Sequence, residues 1–253
     1  MMLRTKISRF LYNIFTYLVS PLLIIHLVFR SISDRRYINR IAERFGFYEK
    51  NNNYFFKMKY KTKIKICGIK NYNNAKCVLE NKADYLGLIF VKKSRRYIDF
   101  FTAEKLIREI KKTNYKTKIV GVFENESSET INDYVEKLKL DFAQIAGKFD
   151  DDLLGKIKYP KIIQISIKED DSEKNILKII NHYRTLSHKI LLDSFDKNIG
   201  GGTGKKFNWK LVKNLVQSEN VFLAGGLNSK NINEALNFLP WGVDISSGVE
   251  ENG

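Results

Sequence analysis

Little in this chain can staple it or hold a metal. Among 253 residues there are 2 Cys, 3 His and 3 Pro. Cys67 and Cys77 have nine residues between them and no histidine cluster beside them, which excludes a disulfide framework and a zinc site and points to a reducing compartment. His182 and His188 stand singly, on or near one helical stretch, and read as structural. Neither a metal nor a cofactor is expected. Glycine (15 residues) and proline are too sparse for collagen or a linker protein. Acidic residues are also short, 28 against 44 Lys and Arg, for a net of +16. That excess raises the question of a polyanionic partner. Yet residues 1–61 hold 12 Lys and Arg against 3 Asp and Glu, so more than half of it lies in a quarter of the chain. The rest follows a chain-wide preference for Lys, Asn, Ile and Tyr, which biased nucleotide composition produces without selection. No nucleic-acid surface is inferred. A hydrophobic share of 43% is ample for folding, and the length suits one α/β barrel or two small domains.

Residues 11–29 carry no formal charge and lie between Lys6 and Arg9 on one side and Arg30, Arg35 and Arg36 on the other. At about 1.5 Å per residue such a helix nearly spans a ~30 Å hydrocarbon core. This apolar helical segment reads as an anchor that contacts a membrane through residues 10–30, with a cytoplasmic body by the positive-inside bias. The alternatives are a pair of short buried helices broken at Pro21 and an apolar helix packed on the rest of the chain. Together with the basic stretch and Arg40-Ile41-Ala42-Glu43-Arg44-Phe45-Gly46-Phe47-Tyr48, residues 8–48 resemble the N-terminal anchor of the Kdo (3-deoxy-D-manno-octulosonic acid) transferases. That family's catalytic glutamate and nucleotide-sugar domains have no counterpart, so the resemblance implies membrane association and not glycosyl transfer. Residues 49–57 are asparagine-rich and read as a linker, which gives an N-terminal segment over 1–57 and a second domain over 58–253.

From Lys63 onward short β-branched runs alternate with amphipathic stretches. Strands are predicted at 64–67, 85–90, 118–123, 142–145, 162–167, 190–193, 221–224 and 243–245. Helices are predicted at 72–82, 102–112, 127–139, 150–158, 173–186, 208–217 and 229–238. This alternation argues parallel strands with crossover helices, and eight strands match a (β/α)8 TIM barrel, an α/β fold, with its final helix missing.

Active sites of such barrels lie at the carboxyl ends of the strands. Cys67 ends the first run, where a lone cysteine is ordinarily packing. Asp193 ends the sixth, after Leu191-Leu192, and a carboxylate there must find donors or do chemistry. Gly200-Gly201-Gly202-Thr203-Gly204-Lys205 is too glycine-rich for a mere connection, and it fails the Walker spacing because Lys206 follows Lys205. It can cradle an anion or cover a site. Gly225-Gly226 after the seventh strand and Ser246-Ser247 after the eighth occupy the usual phosphate position of the fold. The residues themselves imply a phosphorylated small molecule and an acid/base pair.

Lys65-Ile66-Cys67-Gly68-Ile69, Ser94-Arg95-Arg96-Tyr97, Gly121-Val122-Phe123, Leu191-Leu192-Asp193, Gly201-Gly202-Thr203-Gly204-Lys205, Gly225-Gly226-Leu227-Asn228 and Val243-Asp244-Ile245-Ser246-Ser247-Gly248-Val249-Glu250 occur in the order and spacing of one family. Residues 63–250 resemble phosphoribosylanthranilate isomerase. Met58 stands where members often begin. The resemblance implies an Amadori rearrangement in tryptophan biosynthesis, with Asp193 as general acid and Cys67 as general base. It gives Arg96 to the substrate carboxylate, Gln144 and Asp244 to substrate contact, and Gly225, Gly226, Ser246 and Ser247 to the phosphate. Gly201, Gly202, Thr203, Gly204 and Lys205 become the closing loop. These roles require Asp193 to be raised by burial and the Cys67 thiol to lean toward thiolate in an electropositive setting. The sequence departs from the family at Gln144-Ile145-Ala146-Gly147, which lacks the usual histidine, and it ends at Gly253 where members continue into a last helix. The rival readings are a membrane-tethered phosphate-binding barrel without turnover and a decayed fusion product. Retention of both Cys67 and Asp193 argues against the first of these. A monomer or a homodimer is expected.

Overall fold

The computed structural model describes residues 61–168, 170–194 and 208–250. The chain divides into two units, Met1–Lys59 and Tyr60–Gly253, and the described residues all fall in the second. The expected anchor at 10–30, the likeness over 8–48 and the glycine loop 201–205 lie outside them. Among the described residues no helix is long and apolar enough to cross a membrane.

Eight parallel strands close a barrel in chain order: β1 (Lys63–Cys67), β2 (Tyr85–Ile89), β3 (Lys118–Glu124), β4 (Phe142–Ala146), β5 (Lys161–Ile167), β6 (Lys189–Ser194), β7 (Val221–Leu223) and β8 (Gly242–Ile245). β8 pairs with β1 through Lys65↔Asp244 and Ile66↔Ile245, which completes the ring. Every predicted strand is present within a residue at each end. Alternation along each strand divides the side chains into two sets. Tyr85, Val120, Ile162, Leu191, Phe222, Ala224 and Trp241 form one cluster, the barrel interior. Residues of opposite parity, such as Leu86, Ile119, Ile163, Ile190 and Val243, join the larger cluster beneath the helices.

The helices are α1 (Tyr72–Glu80), α2 (Phe100–Lys111), α3 (Ser128–Leu138), α4 (Asp151–Lys156), α5 (Glu173–Arg184) and α6 (Ile232–Leu236). The first five are each opened by an N-cap whose side chain accepts a backbone N–H of the first turn: Asn71, Asp99, Ser127, Asp150 and Ser172. Such caps are worth about 1 kcal/mol each and fix where each crossover begins. The stretch predicted helical at 208–217 differs. It contains a 3-10 turn, Trp209–Val212, followed by turns. Buried Trp209, Val212 and Leu215 recur every third residue, a spacing that stacks on a three-residue turn rather than on an α-helix. Among the described residues β8 is the last element.

Candidate active site

Leu191 lies in the interior cluster, so Asp193, two residues on, faces the same way at the carboxyl end of β6. The same parity places Gln144 beyond Phe142 on β4, and Gln164 beyond Ile162 on β5. On β1 it places Lys65 and Cys67 on one face. Polar side chains from four strands therefore converge above the aromatic and aliphatic cluster of the barrel interior.

Their hydrogen bonds form two connected groups. Gln144 donates through Nε2 to Gln164 Oε1 at 2.9 Å, and Gln164 donates through Nε2 to Asp193 Oδ2 at 3.0 Å. The other carboxyl oxygen of Asp193 accepts the Ser194 N–H at 2.8 Å. Gln144 Oε1 is buried with no hydrogen-bond partner among the described residues. In the second group, Lys65 Nζ lies 2.9 Å from Asp244 Oδ1, and the lysine is 0% exposed. Lys65 stands two residues before Cys67 on the same face of β1, so its charge also acts on the sulfur. Ser246 Oγ donates to the Cys67 carbonyl at 3.1 Å, which ties the loop after β8 to the end of β1.

Burial pushes the Asp193 carboxyl up to about 6, with the Ser194 N–H opposing and Asp244 adding to the rise. The expected elevation of the acid is present. The expected thiolate is not: burial pushes the Cys67 thiol up to about 11, against the pull of Lys65 and Arg96. Desolvation of the thiol of Cys67, a residue only 7% exposed, outweighs the nearby positive charge. Burial also raises Asp244, opposed by Lys65. Burial alone would lower Lys65, and the neighbouring Asp244 and Cys67 reverse that and leave it raised.

Arg96 is buried, and its Nε and Nη2 meet Glu250 Oε1 and Oε2 at 2.5 and 2.9 Å. Its stem lies over Gly68, where an added Cβ would stand 2.3 Å from Arg96 Cδ; the φ of +95° at Gly68 also requires glycine. Across the mouth, Gly225 and Gly226 both have positive φ, and the Gly226 carbonyl accepts both Asn228 Nδ2 and Asn231 Nδ2. A bridge pairs Asn228 with Gly248, so the loops after β7 and β8 are held side by side. Gly225, Gly226, Ser246 and Ser247 thus belong to one cradle. His188 accepts the Lys161 N–H through Nδ1 at 3.4 Å and His182 meets Asp151 at 3.0 Å, both away from this mouth. Among the described residues no cluster of His, Cys, Asp and Glu could hold a metal ion. Sequence reasoning missed Lys65, Gln164 and the partner role of Glu250. A lysine between Ile64 and Ile66, two residues before Cys67, was the available signal for the first.

A closed (β/α)8 barrel with a thiol, an elevated carboxyl and a glycine-serine cradle at its carboxyl mouth defines an acid/base barrel enzyme. The chain belongs to the N-(5'-phosphoribosyl)anthranilate isomerase family: the family model of N-(5'phosphoribosyl)anthranilate (PRA) isomerase matches residues 64–253. It is 37% identical over 191 residues to the N-(5'-phosphoribosyl)anthranilate isomerase of Aquifex aeolicus, covering 75% of this chain and 89% of that one. With that of Thermoanaerobacter pseudethanolicus it shares 37% over 195 residues, covering 76% and 90%. The crystal structure of the Thermotoga maritima isomerase superposes with a TM-score of 0.65 at 31% identity, covering 76% of this chain and 90% of that one. A phosphoribosylanthranilate isomerase in complex with reduced 1-(o-carboxyphenylamino)-1-deoxyribulose 5-phosphate is similar at a TM-score of 0.62 and 31% identity, over 76% and 90%. The family match begins at residue 64 and does not extend to residues 8–48, whose likeness to Kdo transferases is not shown.

Proposed function

We propose that this chain converts N-(5-phosphoribosyl)anthranilate to 1-(2-carboxyphenylamino)-1-deoxyribulose 5-phosphate, the isomerisation in tryptophan biosynthesis, with Asp193 as acid and Cys67 as base. Asp193 gives its proton to the furanose oxygen. The C1'–O4' bond breaks as the nitrogen lone pair forms C1'=N. Cys67 then takes the proton from C2', and the electron pair of that C–H bond forms C1'=C2', which neutralises the iminium. The resulting enolamine tautomerises to the ketone. The iminium is the electron sink, so no cofactor is called for.

The observation that carries this reading is the buried Asp193 carboxyl, held at about 6 by desolvation on the same barrel mouth as Cys67. Arg96 takes the anthranilate carboxylate, Asp244 contacts the substrate, and the uncommitted Gln144 Oε1 accepts a substrate hydroxyl. Gly225, Gly226, Ser246 and Ser247 take the phosphate, and Gly201 to Lys205 close over it. The chain acts as a monomer or a homodimer, the latter supported by its similarity to the dimeric phosphoribosylanthranilate isomerase of Thermotoga maritima, of which monomers have also been generated. The uncharged run at 11–29 between basic flanks supports membrane contact, checked by fractionating cells that express the full chain.

The test is turnover by the purified full chain and rescue of a tryptophan auxotroph lacking the isomerase. Asp193→Asn and Cys67→Ser should each lower kcat by about 10²–10⁴-fold. Growth that survives Asp193→Asn, or a full chain without turnover, overturns the reading.

A further inference from the structure

Lys65 is a fully buried lysine above the aromatic and aliphatic side chains of the barrel interior. Removing an ammonium from water costs several kcal/mol, so such a residue must have partners. Two are present. Asp244, across the β1–β8 pairing, lies 2.9 Å away, and the Cys67 sulfur lies on the same face of β1. A structural ion pair needs only the first.

The charges facing Cys67 are Lys65 and Asp244 beside it, Arg96 with its partner Glu250 over the end of β1, and Asp193 on β6. Rearrangement requires a thiolate on Cys67 and a proton on Asp193. Relative to a neutral thiol and an ionised Asp193, this is a shift of one proton with no change in the net charge of the cluster. What decides where the proton resides is therefore which of the two groups lies closer to a fixed positive charge. Lys65, on the same face of β1 as Cys67, is the foremost charge acting on the sulfur, whereas on Asp193 it ranks behind Asp244, and the hydrogen-bond donors to Asp193 are the neutral Gln164 and the Ser194 N–H. The sulfur is also fixed in place. Gly87 pairs with Cys67 in register, and a Cβ there would stand 2.6 Å from Sγ, so the absent side chain is what leaves room for the thiol.

We propose that Lys65 is a positioning residue for the isomerisation, whose ammonium, shared between Asp244 and the Cys67 sulfur, holds the thiolate that acts as base. This rests on the reading of Cys67 as base. The test uses the full chain carrying Cys77→Ser, which removes the exposed second cysteine. Two variants are compared with this parent: Lys65→Met, and Lys65→Met/Asp244→Asn, which leaves no buried carboxylate without its partner. The readout is the rate at which methyl methanethiosulfonate modifies Cys67 at pH 8, which follows the thiolate fraction and needs no substrate. Both variants should react at least about tenfold more slowly than the parent, with kcat of Lys65→Met lowered and its KM nearly unchanged. If the double variant folds and its thiol reacts within about twofold of the parent rate, Lys65 is only the ion-pair partner of Asp244 and the proposal fails. Failure of the functional reading is separate, since it appears as a parent without isomerase turnover.

Discussion

The guanidinium of Arg96 is gripped along one edge by Glu250, 154 residues further on, through Nε to Oε1 and Nη2 to Oε2. Among the described residues Nη1 makes no hydrogen bond, and it lies on the edge of the fork away from the Glu250 pairing. With Arg96 assigned to the substrate carboxylate as proposed, Glu250 has two opposed effects on an anionic substrate. It orients the fork, and it cancels part of the charge that attracts the carboxylate.

Replacing Glu250 by Gln separates these effects. The amide oxygen still accepts from Nε while the neutralising charge is gone. KM for the anthranilate substrate should fall by roughly two- to fivefold with kcat unchanged, since a full charge beside a partly exposed pair is worth about 0.5–1 kcal/mol. Glu250→Ala removes the orientation as well and should raise KM. Steady-state kinetics on both variants decide the matter, and a higher KM in Glu250→Gln would show that orientation dominates.

The order of the two titrations sets the pH profile. Asp193 titrates at about 6 and Cys67 at about 11, so between those values the pair holds one proton, mostly on sulfur. In the proposed mechanism the reactive arrangement, with that proton on Asp193, is a minor form of the same singly protonated pair, and its share is constant across the interval. Plotted against pH, kcat/KM should climb through about 6 and then stay level into the alkaline range, rather than decline above 6 as a lone acid would demand. Initial rates at low substrate from pH 5 to 9 test this.

Asp193 also costs stability at neutral pH. Its carboxyl titrates at about 6 when folded, against roughly 3.9 in an unfolded chain, so the folded state binds more protons between those values. Stability from this group is full below about pH 4 and is lost as pH rises through 6, on the order of 3 kcal/mol in total. Asp193→Asn keeps the shape and has no charge to bury. It should be more stable than the parent at pH 7.5, and the difference should vanish near pH 4, as read by urea unfolding at both values.

Strand positions were legible because the apolar runs are short and most are followed at once by a polar or glycine residue, and the starts of the first five helices because Asn, Asp or Ser stands at each cap. Asp193 was legible for the same reason, a carboxyl straight after Leu191 and Leu192. Lys65 was not, because its burial is made tolerable by Asp244, 179 residues away, and only barrel closure brings the two together. The same holds for Gln164, an ordinary polar residue in Ile162-Ile163-Gln164-Ile165 until β6 sets Asp193 beside it. The thiol was misjudged because a basic neighbourhood can be read from sequence, whereas the desolvation that outweighs it depends on the finished fold.

At the opposite end of the barrel, Lys189 closes the floor. Its Nζ sits 4.7 Å from the ring centre of Trp241, 5.4 Å from that of Phe142 and 5.9 Å from that of Tyr85, and donates to Asn220 Oδ1 at 2.6 Å. Burial lowers its pKa, yet three aromatic faces and an amide oxygen replace part of the lost hydration. Lys189→Met keeps the apolar stem in the cage and removes the ammonium, whereas Lys189→Ala removes both. A desolvated cation–π contact is worth up to about 2 kcal/mol, and a buried aliphatic stem contributes further through packing. Lys189→Ala should therefore lose about 2–3 kcal/mol of stability and Lys189→Met about 1 kcal/mol or less. Neither should change kcat or KM, because the catalytic mouth lies at the far end of the same strands. Denaturant midpoints with parallel kinetics check both halves, and equal losses in the two variants would show that the cation, not the stem, closes the floor.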